Sequence, residues 1–210
     1  MDVYRTDEEQ AEAVKQWWRD NGMSLVAGVA IGLIAIFGWR GWQNHTILQA
    51  EAASTLYQQM ITASQEDDHE NIRVYADRII ADHESTLYAN FAGLMLAKLA
   101  AEESDLSQAE THLRWVLANN NQTEIKHITR LRLINILLAD DRIDQALDIV
   151  NVSDKGKFVG RYEELRGDIF VKQGKLQEAQ QAYEIALLNA TAGSETQSLL
   201  QLKLDALGRI

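Results

Sequence analysis

The sequence predicts an all-α protein in which a single N-terminal transmembrane helix precedes an α-solenoid, a stack of helical pairs. Three observations predict this class: the 210 residues include no proline, one uncharged apolar stretch lies between Asp20 and Arg40, and a short motif recurs later in the chain. Proline breaks helix interiors and is frequent in turns and at sheet edges, so its absence favours helices. No stretch shows the period-two alternation of a half-buried strand, and we therefore expect no sheet.

The apolar stretch predicts a transmembrane helix over residues 22–42. About 19 helical residues span roughly 28 Å, which matches a hydrocarbon core of about 30 Å. A buried core helix and a cleaved signal peptide are the alternatives. The first is disfavoured because aromatic anchors flank the stretch, and the second because residues 1–21 are acidic and the apolar run is long. The predicted interfacial anchors are Trp17, Trp18, Trp39, Arg40 and Trp42.

The distribution of basic residues predicts the orientation of this helix. Arg5, Lys15 and Arg19 precede the stretch, whereas only Arg40 follows it before Arg73. Basic residues are retained on the cytoplasmic side, so we expect residues 1–21 in the cytoplasm and residues 43–210 on the other side of the membrane. Within the span, Gly28 and Gly32 form a small-xxx-small pattern, which predicts close packing against a partner helix in the lipid bilayer.

Short polar breaks divide the rest of the chain into about nine helical segments. They lie at residues 65–70, 83–85, 103–105, 119–122, 140–142 and 153–156, and at Gly174 and Gly193. Residues 106–109, 143–146 and 176–179 share an aliphatic residue, two polar residues and an alanine. The spacing of these alanines is close to the period of about 34 residues that is typical of tetratricopeptide repeats. A weaker repeat is centred on Ala76, and we expect a final helix to cover the last repeat.

The last repeat matches the tetratricopeptide pattern best. Arg166 and Thr191 depart from it, where that pattern prefers leucine and proline. The matching positions are Gly167, Phe170, Gly174, Ala179, Tyr183 and Ala186. An ordinary helical bundle is the alternative, but periodic self-similarity argues against it.

Composition and motifs argue against several functional classes. The absence of cysteine excludes disulfides, cysteine-ligated metals and thiol nucleophiles. The net charge of −11 disfavours nucleic-acid binding, which requires a basic face. No metal-binding histidine pair, phosphate loop or nucleophile elbow occurs, so we expect no catalytic site, metal or cofactor. An envelope hydrolase using carboxylates is a weaker alternative. We expect all five histidines to be solvated at the surface, namely His45, His69, His83, His112 and His127.

The repeat register predicts a concave surface formed by the first helix of each repeat, which could hold a segment of a partner. For Ile128 and Leu131, burial in the core is the competing interpretation. The predicted groove residues are Phe91, Leu94, Lys98, Ile128, Leu131, Asn135, Arg161, Glu164 and Asp168.

Several of these segments together resemble the YfgM family, the ancillary subunit of the bacterial SecYEG translocon. The similarity is carried by residues 12–15 (Glu-Ala-Val-Lys), 17–18 (Trp-Trp), 21–22 (Asn-Gly), 38–40 (Gly-Trp-Arg) and 164–168 (Glu-Leu-Arg-Gly-Asp). The resemblance implies a single-pass protein of the bacterial inner membrane with a periplasmic repeat domain.

The resemblance also implies partners. They are the translocon, a membrane-anchored periplasmic chaperone of the peptidyl-prolyl isomerase class and nascent secretory chains. We therefore expect a non-enzymatic interaction protein that links emerging chains to periplasmic chaperones. The alternative is a regulator of an envelope stress phosphorelay, acting on a cytoplasmic response regulator through residues 1–21.

Overall fold

The computed structural model describes residues 7–208, and it is helical with no strand in that range. The all-α prediction is confirmed. The helices are α1 (Asp7–Gln65), α2 (His69–Asp82), α3 (Leu87–Glu102), α4 (Leu106–Asn119), α5 (Thr123–Ala139), α6 (Ile143–Val150), α7 (Val159–Lys172), α8 (Leu176–Leu188) and α9 (Glu195–Leu207), with a 3₁₀ turn at Gly156–Phe158. Residues 1–6 of the predicted segment 1–21 and residues 209–210 of the predicted domain 43–210 lie outside the described residues.

The chain divides into two compact units, one up to Glu51 and the other from Ala52 onward. Helix α1 contributes residues to both units, so the boundary expected near residue 42 is not a break in the helix. In the second unit, helices pack on their neighbours in the chain, as in a solenoid. Within the described residues, the helices at the predicted repeats form four pairs: the end of α1 with α2, α3 with α4, α5 with α6, and α7 with α8.

The turn inside each pair has the same backbone conformation. Asp67, Ser104, Asp141 and Gly174 have φ of 58°, 64°, 56° and 73°, and they recur at nearly equal intervals along the chain. In every case the next residue donates its backbone N–H to the carbonyl five residues earlier, at 2.8 to 2.9 Å. This is the Schellman arrangement, which ends a helix on a left-handed residue. The recurrence shows that the weak repeat around Ala76 has the same architecture as the others.

Small residues let the two helices of a pair approach closely. The four repeat alanines, Ala76, Ala109, Ala146 and Ala179, are completely buried. In the last pair, a Cβ on Gly167 would collide with the ring of Tyr183 on α8. The sequence-predicted crossing points are therefore real packing sites.

Among the described residues, the core of the second unit consists of three apolar clusters that follow each other along the stack. One joins α1, α2 and α3 around Met60 and Ile79, and the central one joins α3 to α7 around Leu133 and Tyr162. The last joins α8 and α9 around Leu200, which is 1% exposed. Helix α9 therefore covers the last repeat, as the sequence predicts.

Candidate functional site

The first unit presents the predicted membrane segment as a helix with exposed apolar side chains. Ile31, Ile34 and Phe37 are 68%, 72% and 66% exposed. Among the described residues, only α1 contains a stretch long and apolar enough to cross a membrane. A core helix of a soluble domain would bury such side chains, so the core-helix alternative does not fit.

The predicted interfacial anchors lie at both ends of this segment. The stretch from Trp18 to Trp39 corresponds to about 32 Å of helix, which is close to the thickness of the hydrocarbon core. Trp17, Trp18, Trp39 and Trp42 are each more than half exposed, and Arg40 is exposed as well. Amphipathic rings at these positions suit the two membrane interfaces.

The predicted packing glycines lie inside the segment. A Cβ placed on Gly28 or on Gly32 would meet no atom within 4 Å. The helix surface there is open, and the packing role of both residues stays a prediction.

In the second unit, the predicted groove residues fall on α3, α5 and α7, three residues on each helix. On α3 and α5 the N-terminal part of this surface is apolar. Leu94 is buried, Phe91 and Leu131 are half-buried against the central cluster, and Ile128 is 37% exposed. Ile128 therefore remains available to a partner, whereas Leu94 serves mainly the core. The binding role of all nine residues stays a prediction.

The structure brings two of the predicted residues, Lys98 of α3 and Asn135 of α5, to one cleft of about 470 Å³. Its other charged residues are Glu102 and Arg132. Its apolar lining consists of Ala97, Ala101, Leu113 and Ile136. The cleft thus combines an apolar floor with a polar rim from two neighbouring repeats.

The rim of the cleft is weakly bound to its own protein. Lys98 Nζ lies 3.5 Å from Glu102 Oε1, and both side chains are about half exposed. Arg132 Nη1 donates a long hydrogen bond of 3.4 Å to the carbonyl of Leu94. Within residues 7–208, no carboxylate forms a salt bridge with Arg132.

The predicted groove residues of α7 are bound to other parts of the chain. Lys203 of α9 donates to Asp168 at 2.7 and 2.9 Å and to Glu164 at 3.1 Å. Arg161 donates to Glu164 at 2.5 Å, and Tyr183 donates to Asp168 at 2.7 Å. Burial raises the pKa of the Tyr183 hydroxyl, and the hydrogen bond to Asp168 raises it further. This end of the surface is a closed ionic network that attaches α9 to α7.

One expectation about the histidines is wrong. His127 is 3% exposed, its Nδ1 lies 3.0 Å from the Tyr162 hydroxyl, and its ring stacks on Phe158. Both partners lie beyond α6 in the chain, so local sequence could not indicate the burial. His127 is part of the packing between α5 and α7.

Comparison with known proteins places the chain in a family. Residues 15–209 match the model of the tetratricopeptide repeat-like domain. A protein of Haemophilus influenzae is 31% identical over 98% of this chain and 100% of its own length. Proteins of Escherichia coli K12 and Neisseria gonorrhoeae are 28% and 27% identical over 99% of this chain. All three are named ancillary SecYEG translocon subunit. The chain belongs to this family.

For this family member, the repeat register identified only part of the cleft. It found Lys98 and Asn135 because they occupy the same position in successive repeats. It missed Arg132 and Glu102, which lie beside that position, and Leu113, which belongs to the second helix of its pair. Outside the cleft, the repeat register also missed Lys203 of the ionic network on α7, because α9 lies beyond the last complete repeat.

Proposed function

We propose that the protein is a non-enzymatic ancillary subunit of the SecYEG translocon in the bacterial inner membrane. A single span holds it there, with residues 1–21 in the cytoplasm and the repeat domain in the periplasm. There it links emerging secretory chains to a membrane-anchored chaperone of the peptidyl-prolyl isomerase class. The observation that carries the proposal is the joining of an exposed apolar helix segment to a repeat domain, in a chain aligned nearly end to end with relatives of that name.

The charge pattern supports the proposed orientation. Lys15 and Arg19 precede the apolar segment, and Arg40 is the only lysine or arginine between it and Arg73. Because the chain contains no cysteine, single cysteines introduced at Glu12 and Leu188 can report the topology. In intact spheroplasts, a membrane-impermeant maleimide should label Leu188→Cys and leave Glu12→Cys unlabelled. Labelling of Glu12→Cys alone would show that the orientation is the opposite of the one proposed.

The repeat domain supports the proposed adaptor role. Solenoids present extended surfaces on which segments of partners bind, and the α3–α5 cleft is open with a weakly paired rim. This role requires no covalent bond to be formed or broken. We therefore expect binding to depend on surface residues of α3 and α5.

Photo-crosslinking in native membranes tests the partners. A photoreactive residue at Ile31 should give adducts with translocon subunits, because this side chain is exposed in the membrane segment. The same residue at Asn135 should give adducts with the chaperone or with nascent chains. Arg78, an exposed residue of α2, is the matched control position and should give neither. If no position yields a translocon adduct, the proposal is wrong.

A second candidate function is regulation of a stress phosphorelay from the cytoplasmic side. It is favoured by Val14, which is 66% exposed and lies one turn before the interfacial tryptophans. An apolar side chain at this position could contact a response regulator. Val14→Glu should then change the output of a stress reporter while Glu12→Gln leaves it unchanged. Equal reporter output from both variants would exclude this role.

A further inference from the structure

We propose that the α3–α5 cleft binds an internal segment of a partner protein in which an acidic residue is adjacent to an apolar residue. The carboxylate binds at Arg132 and Lys98, and the apolar side chain packs on the cleft floor. This inference rests on the proposed function, because it names the chemistry of the partner that the repeat domain would recognise.

The floor of the cleft suits an apolar side chain. Ala97 and Leu113 are 3% and 1% exposed and form a firm apolar base, with Ala101 and Ile136 beside them. The volume of about 470 Å³ lies within the range of about 300–1,000 Å³ found for binding pockets. Short side chains on α3 leave this space open. An aliphatic side chain of a ligand that enters it would be removed from contact with water, which favours binding.

The charge of the rim is opposite to that of the domain around it. Residues 43–210 contain 25 acidic and 16 basic residues, a net charge of −9. The cleft has two basic residues, Lys98 and Arg132, and one acidic residue, Glu102. A locally positive site on a negative domain selects a negative group and disfavours basic segments through the same field.

Arg132 is the residue that best fits a carboxylate. A guanidinium can bind a carboxylate through two parallel hydrogen bonds, and the internal bond of Arg132 uses only one nitrogen at 3.4 Å. Lys98 forms a solvent-exposed salt bridge with Glu102, and such salt bridges contribute little to stability. A ligand carboxylate can therefore bind both cations without breaking a strong interaction.

The surface next to the cleft favours an internal segment over a chain terminus. Ile128, Leu131 and Asn135 follow at the spacing of one helix face, and Ile128 is exposed. A segment that places its carboxylate at the rim can thus continue along α5 and contact a second apolar side chain. Such continuation is typical of ligands on solenoids.

A peptide selection with the full-length protein in lipid nanodiscs tests the inference. The probe is a random peptide library with blocked termini, and a parallel library carries a free C-terminal carboxylate. Peptides with an internal Asp or Glu next to an apolar residue should be enriched. Replacing that acid by its amide should weaken binding about fivefold, the value for an exposed charge pair of about 1 kcal/mol. Arg132→Gln should cause a loss of similar size, whereas the control Arg78→Gln should have no effect.

Charge reversal makes the test independent of folding defects. Arg132→Glu, with an unchanged circular dichroism spectrum, should shift the enrichment from acidic to basic peptides. Lack of acidic enrichment, enrichment restricted to free C-termini, or equal binding by Arg132→Gln would each overturn the inference. A different result would contradict the proposed function: the absence of any translocon subunit in the wild-type protein purified from membranes.

Discussion

Replacing Gly167 by alanine should destabilise the last repeat, although alanine is the better helix former. The new methyl group would collide with three ring atoms of Tyr183. This ring is 3% exposed and its hydroxyl donates to Asp168 at 2.7 Å, so it cannot move aside cheaply. Overpacking a core typically costs about 1–3 kcal/mol, and a rigid ring justifies the upper half of this range.

The helix propensity of alanine offsets about 1 kcal/mol of this cost. We therefore expect Gly167→Ala to lower the free energy of unfolding by about 1–2 kcal/mol. For a protein of this size, that corresponds to a fall in Tm of about 2–8 °C. Thermal unfolding of the full-length protein in nanodiscs, followed by far-UV circular dichroism, measures it.

Two variants make the result specific. Gly160→Ala, in the same helix, places its Cβ 3.1 Å from Cβ of Asn189. Asn189 is the exposed C-cap residue of α8 and can shift slightly, so Tm should stay within about 2 °C of wild type. In a Tyr183→Leu background, which removes the ring, Gly167→Ala should no longer destabilise the protein and should instead raise its stability by up to about 1 kcal/mol, the helix-propensity gain of alanine. A Tm of Gly167→Ala at or above wild type would refute the reasoning. So would an equal effect in both backgrounds.

Three further predictions concern single contacts. The hydrogen bond from Arg142 lowers the pKa of Glu110 below its ordinary value. The ion pair therefore stabilises the fold at pH values above the ordinary pKa of a glutamate, and this stabilisation is lost as the pH falls through the lowered pKa of Glu110. Arg142→Gln should flatten the decline of Tm below about pH 4.5. Lys203→Gln leaves Glu164, 4% exposed, with one cation fewer, and should cost about 1–2 kcal/mol and accelerate hydrogen exchange in α9. Ser104→Gly relieves a left-handed φ of 64° and should raise stability by up to about 1 kcal/mol in urea titrations.

Each of these three has an outcome that contradicts it. Parallel pH profiles of wild type and Arg142→Gln would show that the ion pair does not set the acid limit. Unchanged exchange in α9 would mean that Lys203 does not hold this helix. A lower urea midpoint for Ser104→Gly would show that the serine side chain stabilises the turn more than its backbone conformation strains it.

Local sequence predicted the helices and their breaks because these depend on residues close together in the chain. The repeat alanines are an example: a shared four-residue motif and its spacing predict Ala109, Ala146 and Ala179 as crossing points, and each is completely buried. The cleft was only half predictable, because Lys98 and Asn135 follow the repeat period whereas Arg132 does not. The burial of His127 and the role of Lys203 depend on contacts between helices that are far apart in the chain, which no local pattern records.

The shared turn inside each helical pair bears on how the domain forms during synthesis. Because the turn closes through a backbone hydrogen bond between residues only five positions apart, each pair can assemble soon after its second helix is made. Neighbouring pairs then dock in chain order, and low contact order of this kind favours fast folding. The helical pairs can therefore acquire their structure vectorially, one after another, while the later pairs are still being synthesised.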